Sequence, residues 1–226
     1  MLGGPKKVSK EPTEMTSKEE DQALSSVAAM LKKNFQSRPE FSSIRDQVKI
    51  DVTDQGLHIQ IVDKADRVSF ASGSAAMTAE ASAVLAEIAR GICSLPNLIQ
   101  VGGHTDRRLF APGSTYTNWE LSTDRANAAR RALEANCVKP ENVKRVVGHA
   151  DTELLFPDDP FAPANRRISI TVLRQQPIPG THKNTNPAED GHTKDEPDKK
   201  ALEDGEKKQV MRLMHRPQRV RKRPLR

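Results

Sequence analysis

The sequence predicts an α/β (α+β) sandwich, in which one mixed sheet carries helices packed on one face and lies between disordered N- and C-terminal tails. Three observations predict it. Apolar runs of strand length alternate with helical stripes, in the order strand, strand, helix, strand, helix, strand, strand. Helices of this length placed between strands call for at least one parallel pair, joined by a right-handed crossover. Beyond Arg174 the chain turns to Pro, Asp, Glu, Lys, Asn and Gly with almost no large apolar residues, so residues 175–226 cannot offset the entropy of ordering.

Residues 1–16 are polar and read as disordered. Ser17, Lys18, Glu19 and Glu20 then have capping-box spacing, and Leu24, Val27, Ala28, Leu31 and Phe35 recur at helical intervals. They predict an amphipathic segment over 17–40 whose helix ends before Arg38 and Pro39. The domain itself is expected over 41–174. Val48–Val52 and Leu57–Val62 flank Asp54, Gln55 and Gly56, a turn suited to a hairpin. Phe70–Ser74 is a loop. Met77, Ala81, Val84, Leu85, Ile88 and Ile92 form a helical stripe broken near Gly91 and Pro96.

Leu98–Val101 reads as a strand that stops at Gly102 and Gly103 and delivers His104, Thr105 and Asp106 to its exposed end. Regular structure resumes near Asn118. From Leu121, a helix places Leu121, Arg125, Ala128, Ala129, Ala132 and Leu133 on one face, with Thr123, Asp124, Asn127, Arg130, Arg131 and Glu134 opposite. Arg125 therefore falls inside an apolar stripe. A buried unpaired charge costs several kcal/mol, so the guanidinium needs an anion, and Asp106 is the expected partner. Val143–Gly148 is a further strand, Asp151–Ala164 a Pro-rich loop, and Ile168–Leu173 a final alternating strand.

Thr105 and Asp106, Asn118, Leu121 and Ser122, Arg125 and Ala126, and finally Asn165, Arg166 and Arg167 follow the pattern TD…N..LS..RA…NRR. This pattern resembles the signature of OmpA-like peptidoglycan-binding domains. Thr117–Arg131, TNWELSTDRANAARR, and Lys49–Ser74 are more narrowly similar to MotB, the flagellar stator subunit. The resemblance spans about residues 41–174. It implies an OmpA-like fold and non-catalytic binding of peptidoglycan, with no cofactor and no metal. The ligand site it implies comprises Thr105, Asp106, Asn118, Leu121, Arg125, Asn165 and Arg166. Asp106 and Arg125 would grip the ammonium and carboxylate of a diaminopimelate end, with paired Arg–carboxylate bonds as the specific element. Thr105, Asn118 and Leu121 would line the pocket, Asn165 and Arg166 its rim, and Arg167 would face solvent.

The same resemblance implies a homodimer and a place on the periplasmic face of the inner membrane. Where a transmembrane helix is present, it also implies a MotA-like membrane subunit as partner. Residues 17–40 then read either as a helix docked on the domain or as the periplasmic linker, and the two are compatible. The sequence departs from the family in two respects. Arg107 and Arg108 follow Asp106 where stator relatives often carry an acid, and the membrane aspartate that relays protons has no counterpart. No run approaches the ~20 apolar residues that span a bilayer, and Met1–Lys7 lack a signal-peptide core, so the chain reads as a truncated member of the family.

Cys93 and Cys137 close the two main helices, and two buried thiols are the expected state, with a disulfide as the alternative in an oxidising periplasm. The formal charge of +6 raises the question of nucleic acid. Much of the excess sits in Arg212, Arg216, Arg219, Arg221, Lys222, Arg223 and Arg226, and with aromatic residues at 4% no stacking platform accompanies it, so no nucleic acid is expected. His104-Thr105-Asp106 and His149-Ala150-Asp151 repeat an HxD pattern that could hold zinc for hydrolysis, but no general-base glutamate has a motif context. The expected function is wall anchoring of a MotB-type stator. The alternatives are an OmpA-like wall anchor outside motility and, more remotely, a zinc-dependent wall hydrolase.

Overall fold

The computed structural model describes residues 15–175. The two tails, including the basic run 210–226, lie outside the described residues. Three helices, α1 (Ser17–Ser37), α2 (Ala79–Ile92) and α3 (Asn118–Glu134), accompany five strands. The strands are β1 (Val48–Thr53), β2 (Gly56–Val62), β3 (Ile99–His104), β4 (Val143–Gly148) and β5 (Arg167–Leu173), in the sheet order β1-β2-β5-β3-β4. All neighbours are antiparallel except β3 and β4, the parallel pair expected on either side of a helical crossover, here α3.

Register separates the two faces of the sheet. Ile50, Ile59, Ile170, Val101 and Val146 form one cross-strand row, and Leu57, Val172, Ile99 and Val143 a second. Together with α1, α2 and α3 these rows enclose a single hydrophobic cluster. Because the side-chain period of a strand is two, the intervening rows are polar: His58, Thr171, Gln100 and Arg145, then Gln60, Ser169 and Gly102.

A third apolar-face row runs Ile61, Ile168, Gly103 and Gly148. Its two glycines explain why β3 does not stop where the sequence suggested. A Cβ on Gly103 would lie 2.0 Å from the Ser122 carbonyl oxygen, and one on Gly148 2.1 Å from Thr123 Oγ1. The glycines are thus the ground on which the start of α3 rests, not strand breakers. The strand runs on to His104.

α1 is docked on the domain. Leu24, Ala28, Leu31 and Phe35 are buried in the common cluster, and the buried Glu87 of α2 accepts from Asn34 Nδ2 at 2.7 Å and Arg38 Nη1 at 3.1 Å. Its capping box begins one residue earlier than the sequence spacing suggested. Thr16 Oγ1 accepts from Glu19 N at 3.3 Å, and Glu19 Oε2 from Thr16 N at 2.9 Å. Cys93 and Cys137 form a disulfide, their Cα atoms 5.8 Å apart, instead of two free thiols. α2 packs against α3, which brings the two helix ends level. Sequence alone carries no such distance.

Candidate functional site

The edge of the sheet above β3 and β5 carries the signature residues. β5, last in sequence, inserts between β2 and β3, so the start of β5 sits between the ends of both neighbours: Arg167 is in register with Val62 and His104. One residue further out, Arg166 lies between Asp63 and Asp106. Its Nε donates to Asp63 Oδ2 at 3.0 Å and its Nη1 to Asp106 Oδ2 at 2.8 Å. Burial works against the Arg166 charge, but the bonds to Asp106 and Asp63 outweigh it and hold the guanidinium above its ordinary range.

Asp106 is therefore paired, though not with Arg125. Its second partner is Arg108, whose backbone N–H reaches Oδ1 at 3.1 Å and whose Nη1 reaches Oδ2 at 2.7 Å. No Asp106–Arg125 bridge forms among the described residues, because two other guanidiniums hold the carboxylate. Arg125, 4% exposed, instead donates from Nε to the Ser74 carbonyl at 2.9 Å and from Nη2 to the Ala71 carbonyl at 3.2 Å. Its Cζ lies 5.2 Å from the centroid of the Phe70 ring, within cation–π range. Burial lowers its proton affinity, with Asp63 acting in the opposite direction. Among the described residues Arg125 has no carboxylate within ion-pair distance, and Nη1 has no hydrogen-bond acceptor.

These side chains face a cleft of about 480 Å³. Thr105, Asp106, Asn118, Leu121, Arg125 and Arg166 all line it, joined by Arg108, Phe70 and Phe110. Thr105 is buried, and its Oγ1 has no partner among the described residues. Asn118, at the start of α3, donates to the Asp106 carbonyl at 3.3 Å and the Arg108 carbonyl at 3.0 Å, fixing the loop that leaves β3. The amino end of α3, the positive end of its dipole, thus opens on the cleft.

Asn165 lies elsewhere. Fully buried, it accepts from Phe156 N–H at 2.8 Å and donates to the Asp159 carbonyl at 2.9 Å, so it braces the 151–164 loop. Arg167 is also buried, at 9% exposure, and donates to the Asn165 carbonyl, contrary to the expectation that it faces solvent. The polar face is crowded there by His104. Of the HxD residues, Asp106 serves Arg166 and Arg108, and Asp151 lies 3.5 Å from Arg107, so neither carboxylate joins a histidine in the manner of a metal site. Pattern reading missed Phe70, Arg108 and Phe110 in the cleft wall, and Asp63, which holds Arg166 from behind it. For Asp63 and Phe70 the signal was the Lys49–Ser74 segment, whose last apolar strand residue is followed at once by an aspartate.

A five-stranded mixed sheet, helices on one face and a charged cleft at the β3–α3 junction define an OmpA-like domain. Residues 69–167 match the OmpA family. Over 172 residues the chain is 39% identical to motility protein B of Escherichia coli K12, a match covering 75% of this chain and 56% of that one. The chain thus spans a little over half the length of this curated relative. The fold is shared with a solved MotB-like protein from Desulfovibrio vulgaris at a TM-score of 0.58, with 19% identity over 70% of this chain and 98% of that one. The cell wall anchor of the type VI secretion system from Pseudomonas aeruginosa follows at 0.52 and 25% identity, over 66% of this chain and 97% of that one. The chain is thus similar to MotB over three quarters of its length and carries an OmpA-like domain.

Proposed function

We propose that the cleft binds the peptide of peptidoglycan through a diaminopimelate end, and that the chain thereby anchors a MotB-type flagellar stator to the cell wall. One observation carries this reading: Arg125 is a buried guanidinium on a cleft wall with no carboxylate of its own among the described residues. Asp106 lines the cleft with Arg108, Arg125 and Arg166, and Asp63 pairs with Arg166 from outside it, so one positive group is left over even with both carboxylates counted. A ligand carboxylate offsets the imbalance by accepting from Arg125 Nη1, and Thr105 Oγ1 is free to join it. The ligand ammonium then goes to Asp106, where it takes the place of the exposed Arg108.

Each charge-assisted bond of this kind contributes about 1.5–3 kcal/mol. Truncating Arg125 or Asp106 should therefore cost about 2–5 kcal/mol of binding, at least ten-fold in affinity. The test is co-sedimentation of the purified chain with peptidoglycan. Arg125→Ala and Asp106→Ala should stay in the supernatant, and Arg131→Ala, altered on the exposed side of α3, should pellet like the parent. Equal pelleting by all would contradict the proposal. The Cys93–Cys137 disulfide supports a periplasmic setting, where such bonds persist. The NWELSTDRANA wording favours the stator over a wall anchor outside motility. Homodimer formation and pairing with a MotA-like subunit are parts of the stator reading and stand or fall with it.

A further inference from the structure

A second cluster lies on the polar side of the sheet, outside the cleft. His104 at the end of β3 is 4% exposed, and its Nε2 is 3.2 Å from Ser169 Oγ. With that nitrogen donating to the hydroxyl, Nδ1 carries a bare lone pair, and among the described residues this buried atom has no hydrogen-bond partner. The His149 ring stacks on it, centroids 4.4 Å apart and planes 3° from parallel. Glu153 approaches both rings, with Oε1 3.0 Å from His149 Nδ1 and Oε2 4.0 Å from His104 Nδ1. One ligand atom from each of the three residues lies within 4.8 Å of the other two.

We propose that His104, His149 and Glu153 form a binding site for a divalent cation of the zinc type. Two imidazoles and one carboxylate, with a fourth position left to water, are a common zinc donor set. The Ser169 hydroxyl is the outer partner that holds a metal-ligating histidine in one tautomer and one orientation. The ion enters beside His149 Nδ1 and Glu153 Oε1, which are 3.0 Å apart, and gives the orphaned His104 Nδ1 the partner it lacks. Zn–N bonds of about 2.0–2.1 Å put the ligand atoms of a tetrahedral site about 3.3 Å apart. His149 and the exposed Glu153 must therefore close on the fixed His104, and the rings must tilt out of parallel so that their in-plane lone pairs converge. The buried Arg167 guanidinium nearby opposes the incoming charge, while the Glu153 carboxylate offsets part of it.

The site lies between the 149–153 turn and the last residue of β3, directly before Thr105 and Asp106. A bound ion would clamp that turn to the strand. The test is calorimetric titration of zinc chloride into the chelator-stripped, full-length chain and into His149→Ala and Glu153→Gln. His58, His182, His192 and His215 also offer nitrogens, so the difference between proteins is what is read. The parent should show a one-equivalent event that each substitution weakens at least ten-fold, and zinc should raise the melting temperature of the parent alone. Absence of binding to the parent, or an unchanged isotherm in Glu153→Gln, whose exposed side chain is not needed for folding, would overturn the proposal.

Discussion

At the level of single residues, the cleft contains two arginines on Asp106 that differ in burial and so in consequence. The Arg166 side chain is 17% exposed and bridges two buried carboxylates, whereas that of Arg108 is 61% exposed. Removing one partner of a buried pair costs about 3–5 kcal/mol, and an exposed pair contributes at most about 1 kcal/mol. Arg166→Ala should therefore lower stability by several kcal/mol. Arg108→Ala should leave the thermal midpoint nearly unchanged and bind peptidoglycan as well as the parent or better, because it clears the ammonium position on Asp106. Melting curves and co-sedimentation of the two variants separate these outcomes, and weakened binding by a stable Arg108→Ala would show that this arginine contacts the ligand. The residue types of the cleft were legible in the sequence, but the partner of Asp106 was not. Arg166 and Asp106 are 60 positions apart and Arg166 and Asp63 are 103 apart, so only the insertion of β5 between β2 and β3 brings them together.

Among the elements, α3 decides the geometry of the cleft, and the Gly103–Gly148 pair decides where α3 sits. A methyl group on Gly103 would stand 2.0 Å from the Ser122 carbonyl oxygen, which is helix backbone and cannot swing aside. Gly103→Ala should push the first turn of α3 off the sheet, carrying Leu121 and Arg125 with it. Stability should fall by about 1–3 kcal/mol, the usual range for overpacking, and wall binding should fall with it while secondary structure persists. Circular dichroism melts with co-sedimentation check this, and full binding at parental stability would place the helix contact elsewhere. Strand and helix spans were readable from periodicity because each element buries one face. The role of the glycines was not, since a close approach and a strand end look alike when only the residue type is known.

For the whole molecule, one core joins the three helices to the apolar face of the sheet, and the disulfide closes the far ends of α2 and α3 across 44 positions. In the chain-entropy account a loop of that length contributes about 4 kcal/mol of stability. Reduction should lower the melting temperature markedly, and a Cys93→Ser, Cys137→Ser double variant should match the reduced parent; identical melts with and without reductant would mean the thiols are unpaired in solution. Fold class followed from the order of elements alone. Placing the last strand in the centre of the sheet required register, which no local pattern encodes. Under the proposed anchoring role each copy does not need to bind tightly, because several copies on one polymer would raise the effective concentration.

In the proposed site, Arg125 recognises a carboxylate that Asp106 helps to orient through a neighbouring ammonium. Diaminopimelate differs from lysine by one carboxylate beside the terminal ammonium, so two stem peptides alike but for this residue isolate the interaction. Their affinities for the parent and for Arg125→Ala are the most direct measurement. Recognition by Arg125 should give at least ten-fold tighter binding of the diaminopimelate peptide by the parent, and loss of that preference in Arg125→Ala. Equal affinity of the parent for both peptides, or a preference that survives the substitution, would contradict it.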